Sequence, residues 1–89
     1  MSSSLPIAVL ANDPILRAGV VSVLRRADNV RICLEGVPEL PHAELAGCAA
    51  AVVVVDCSGS EESLDAVRRI RSLVPSARIL ALVDIEDRK

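Results

Sequence analysis

Apolar positions along the chain gather into four short aliphatic runs, separated by stretches in which they recur at helical spacing. That alternation is the mark of βαβ units, in which helical crossovers join parallel strands. The first run, Ile7–Ala11, is continuous rather than alternating, as expected of a central strand covered on both faces. Asp13 then suits an N-cap and Pro14 the first helical position. The spacing predicts a helix with Ile15, Leu16, Val20, Val23 and Leu24 turned inward and Arg17 and Arg25 outward, ending at Asp28-Asn29. Val30–Leu34 reads as a second strand, interrupted by Arg31 and therefore expected at an edge.

After the turn at Gly36-Val37-Pro38, Pro41–Gly47 forms a short and poorly patterned helix. Ala50–Val55 is the strongest strand of the chain, because four consecutive valines cannot all face water. Ser58 with Glu61 three residues on makes a capping box. The helix it opens runs to about Leu73 with Leu64, Val67 and Ile70 inward, and Pro75-Ser76 ends it. Arg78–Val83 is the fourth strand, followed by a charged tail from Asp84 to Lys89. The expected architecture is a parallel sheet with helices on both faces and right-handed crossovers.

Composition narrows the function. At 89 residues the chain suffices for one small domain. Its longest apolar run, Cys48 to Val55, is far too short to span a bilayer, and the opening MSSSLP lacks a signal-peptide core. No membrane association and a cytoplasmic location are therefore expected. Ten basic against twelve acidic residues and no aromatic side chain leave neither a basic footprint nor stacking platforms, so direct nucleic-acid binding is not expected. The arginines at 25, 26, 68, 69 and 71 read as solvated helix faces. Cys33, Cys48 and Cys57 show no metal-site spacing and read as small buried hydrophobes; a redox role for Cys57, at a strand end, is the alternative. The single histidine, His42, rules out multi-histidine metal sites and is expected at the surface. Neither a phosphate-binding glycine loop nor a Gly-x-Ser-x-Gly elbow is present, and no enzymatic activity is expected.

In an open parallel sheet the functional site lies beyond the carboxyl ends of the strands. Three segments converge there on this reading: Ala11-Asn12-Asp13, Asp56-Cys57-Ser58 and Val83-Asp84. Asp56, placed directly after four valines, is either an ionisable group delivered to that rim or a plain strand terminator.

The segment IAVLANDPILRAGVVSVLRRADNV resembles the opening strand and helix of NarL/LuxR-type receiver domains of response regulators, whose usual text runs VLLVDDHPLVREGLRALLE. VVVVD is similar to the third receiver strand with its terminal phosphoacceptor aspartate, and LDAVRRIRSLVPSARILALVD to the helix and strand that follow. The resemblance covers Ile7 to Asp84 and is weak between Gly36 and Gly47. It implies a flavodoxin-like (CheY-like) α/β fold, here incomplete: four strands, with the last strand and helices missing. On this reading residues 1–89 are one partial receiver domain without a DNA-binding domain.

The resemblance puts Asp56 at the phosphoacceptor position, the magnesium-holding acidic pair at Ala11 and Asn12, and the phosphoryl-gripping hydroxyl at Val83. None of the last three carries the family's chemistry. Asp13 lies one place further on, at the helix cap. The loop CSGSEES lacks the family's proline and is about one residue shorter, and the family's lysine falls beyond Lys89. Mg²⁺ takes several hard oxygen ligands, and phosphoryl transfer depends on the charge they position. The expectation is a degenerate receiver with no cofactor, no metal and an unmodified Asp56, acting by protein–protein contact in a transcriptional regulator. Two alternatives are a working receiver that switches on Asp56, and a small-ligand sensor using the pocket near Asn12, Asp56 and Val83. The partners expected are a second copy, through the fourth strand or an uncovered sheet face, and the sensor kinase that the family implies.

Overall fold

The computed structural model describes residues 4–39, 42–56 and 62–82. The elements alternate: β1 (Leu5–Leu10), α1 (Pro14–Leu24), β2 (Val30–Gly36), α2 (His42–Gly47), β3 (Val52–Asp56), α3 (Glu62–Leu73) and β4 (Arg78–Leu82). All neighbouring strands run parallel, in the order β2-β1-β3-β4. This is an α/β fold of flavodoxin-like layout, with β1 inside the sheet and β2 at an edge.

Burial follows from that placement. Ile7 through Ala11 are all buried, as are Val53, Val54 and Val55 of β3. Strand alternation splits them between two layers. Ala8, Leu10, Val53 and Val55 meet Leu45 of α2 and Ile70 of α3 on one face, with Val67 packed against that layer. On the other face Ile7, Val9 and Val54 meet Val21 of α1, with Val20 and Leu24 alongside. Helices therefore cover both faces. The side chain of Leu64 lies outside the described residues.

α1 departs from the sequence pattern. Val20, Val21 and Leu24 face the sheet, whereas Ile15 is 82% and Val23 66% exposed, and Leu16 is exposed as well. Nearly the whole circumference of PILRAGVVSVL is apolar, so periodicity names no single inward stripe. The β1–β2 pair covers one arc and leaves the neighbouring arc, Ile15-Leu16-Gly19-Val23, to solvent.

Two irregularities shape the α2 side of the sheet. Ile7 pairs with Ile32 and Ala8 with Leu34, so β2 bulges at Cys33, which has no partner residue in β1. A bulge turns successive side chains to one face; Cys33 and Leu34 accordingly both pack against the layer that holds Leu45. Beyond α2, Ala49 takes a left-handed backbone conformation (φ 54°), the position past a helix end where glycine is favoured. The strained alanine redirects the chain into β3. Replacing Ala49 with glycine is expected to raise unfolding stability by about 1 kcal/mol, read from urea denaturation, because the Cβ clash disappears.

Candidate functional site

The carboxyl rim of the sheet is built by register. Leu10 pairs with Val55, so Ala11 and Asp56 are the next positions on adjacent strands, about 4.8 Å apart in the pairing direction. Asp56 pairs in turn with Leu82, and the Ala11 N–H donates to the Gly36 carbonyl at 2.9 Å. A row Gly36–Ala11–Asp56–Leu82 thus crosses the rim from β2 to β4. Ala11 is 2% exposed and Asn12 is exposed, while Asp56 is half-buried and shares by alternation the α1 face of Val54.

Asp13 belongs to the helix rather than to this row. Its carboxylate accepts from the Ile15 N–H at 2.9 Å and the Leu16 N–H at 3.4 Å, as an N-cap does. The negative charge is thereby held at the positive end of α1.

Arg17 is a rim residue that the sequence reading turned outward. It is half-buried, and its Nη1 donates to the Ala11 carbonyl at 2.6 Å, with the Gly36 carbonyl at 3.5 Å. The guanidinium thus bridges the ends of β1 and β2. A signal existed: Arg17 stands three and four residues before Val20 and Val21, at the rim end of the sheet-facing stripe. A long side chain there can cover apolar surface with its stem and carry its charge to the rim. Arg25, by contrast, faces solvent and pairs with Glu35 at 3.2 Å.

Among the described residues no three His, Cys, Asp or Glu side chains come together as a metal site. Among the described residues, the oxygens at this rim do not match what Mg²⁺ takes. Asp56 is the one carboxylate of the row; Ala11 offers a carbonyl already bonded by a cation, and the Asp13 carboxylate is committed to α1. Val83, Cys57, Ser58, Ser60 and Glu61 lie outside the described residues, as does the side chain of His42. Cys33 and Cys48, read from the sequence as small buried hydrophobes, are free thiols that pack against the core and are half-buried. No helix among the described residues is long and apolar enough to cross a membrane. Compared with protein-family models, curated proteins and solved structures, the chain matches none of them.

If Asp13 acts as a cap alone, Asp13→Ala should lower unfolding stability by about 1 kcal/mol and Asp13→Asn by far less, since the amide oxygen also caps. Urea titrations of the two variants against the parent chain make the comparison.

Proposed function

We propose that this chain is a receiver-like regulatory module of a two-component-type transcriptional regulator, working without phosphorylation and through protein contact. The strand order supports the reading, because it matches the first four strands of a flavodoxin-like sheet and brings Asp56 to the rim where such folds bind ligands. One observation carries the absence of phosphorylation. Where a phosphoacceptor's magnesium-holding acid would stand, a buried Ala11 presents its carbonyl to the Arg17 guanidinium. A fixed cation there repels a divalent ion, and a methyl group contributes no charge to hold one. Phosphoryl transfer to Asp56 then has too little electrostatic support for its transition state.

Incubating the chain with Mg²⁺ and acetyl phosphate is therefore expected to leave its intact mass unchanged. A stoichiometric phosphoryl gain that disappears in Asp56→Asn would overturn this reading in favour of a working receiver. Stabilisation by a metabolite, lost in Asp56→Ala, would instead favour a ligand sensor.

The contact surface in this proposal is the outward arc of α1, and its occupant is a second copy of the chain. Arg17 is the one charged residue within α1, and it points to the rim. The remaining arc, Ile15, Leu16, Gly19 and Val23, together with the half-buried Val20 and Leu24 at its margin, lines an open apolar groove of about 490 Å³. Without charge, two such arcs do not repel each other. Gly19, at its middle, has open space above it and lets two helices approach closely about a two-fold axis. Sedimentation equilibrium should find a dimer that Ile15→Glu with Val23→Glu converts to a folded monomer; a monomeric parent chain would rule this surface out.

A further inference from the structure

Cys33 and Cys48 are separated in sequence by α2, yet the fold sets both against one apolar layer. The β2 bulge has no pairing partner for Cys33 in β1 and turns its side chain to the α2 face. Cys48 follows the last residue of α2, where its N–H donates to the Leu45 carbonyl at 3.3 Å. The left-handed turn at Ala49 comes immediately after it. Both cysteines pack against the same apolar layer, both are free, and both keep part of their surface open to solvent. The Cys33 thiol lies close enough to Cys48 to feel its charge.

We propose that Cys33 and Cys48 are a thiol-oxidation site that closes to an intramolecular disulfide by exchange with a low-molecular-weight disulfide of the glutathione class. The thiolate of one cysteine attacks oxidised glutathione, forming a mixed disulfide and releasing one glutathione thiolate. The thiolate of the second cysteine then attacks the protein sulfur and displaces the other glutathione. Two protein thiols are oxidised, one glutathione disulfide is reduced to two thiols, and the two protons pass to the departing thiolates.

The surroundings favour the closed form. Burial raises the Cys33 pKa, and the neighbouring Cys48 raises it further through charge repulsion. A thiolate that the protein disfavours does not stabilise the reduced pair, the opposite of what makes a disulfide strongly oxidising. The bond would also tie the end of α2 to β2. α2 has six residues, too few for a helix to persist without packing, and the bond would hold it on the sheet.

The experiment equilibrates the whole chain with excess oxidised over reduced glutathione, blocks remaining thiols with N-ethylmaleimide and measures mass. A Cys57→Ser chain is run in parallel to remove the third thiol. The Cys57→Ser chain is expected to lose two hydrogens and to take up neither glutathione nor maleimide. Cleavage after glutamates, which separates the two cysteines at Glu35, Glu39 and Glu44, should leave their peptides joined until a reductant is added. Cys33→Ser and Cys48→Ser should each carry a glutathione on the surviving partner. Separate glutathione or maleimide adducts on Cys33 and Cys48 of the Cys57→Ser chain would overturn the proposal. So would a parent chain in which either cysteine pairs with Cys57.

Discussion

The fold rests on burying β1 on both faces. A strand whose five positions from Ile7 to Ala11 are all excluded from water must bond on both edges and be covered by helices above and below. Parallel neighbours β2 and β3 meet the first requirement; α1 on one side and α2 with α3 on the other meet the second. Each fully buried leucine or valine in these layers contributes about 1.5–3 kcal/mol relative to exposure. The chain has no aromatic residue to supply larger increments, so β1 and β3 carry much of the core between them.

Such a sheet delivers the ends of its central strands to one rim, whatever residues stand there. Here the rim carries a carboxylate at the end of β3 and a guanidinium lying over the ends of β1 and β2. A divalent cation and an arginine are rival solutions to the same problem, the satisfaction of inward-facing oxygens. Here Arg17, donating to the Ala11 carbonyl, is the solution the structure shows. The apolar outer arc of α1 is left uncovered by the described fold, with Ile15 and Val23 largely exposed.

The α2 side follows a different logic. α2 is held by one fully buried residue, Leu45, and the loop leaving it contains a left-handed alanine. Arg69 of α3 adds a hydrogen bond to the Pro38 carbonyl at 2.8 Å, which anchors the loop after β2. The two half-buried thiols, Cys33 and Cys48, pack against the same layer at this sparsely held corner. A covalent link there would act on the least supported helix of the three.

Much of this could be read from the chain itself. The unbroken run at Ile7 marked a central strand, Arg31 marked an edge, Asp13-Pro14 marked a helix start, and four valines before Asp56 marked a strand ending at a rim. These signals are local: cap chemistry, proline geometry and side-chain periodicity act within a few residues, so neighbouring residues suffice to express them. The inward arc of α1, the reach of Arg17 and the slip that turns Cys33 to the α2 face carried no local mark. An almost wholly apolar helix has no preferred face until a sheet lies against it. A bulge exists only relative to the partner strand. Those features are properties of long-range pairing, settled when β1, β2 and α1 come together.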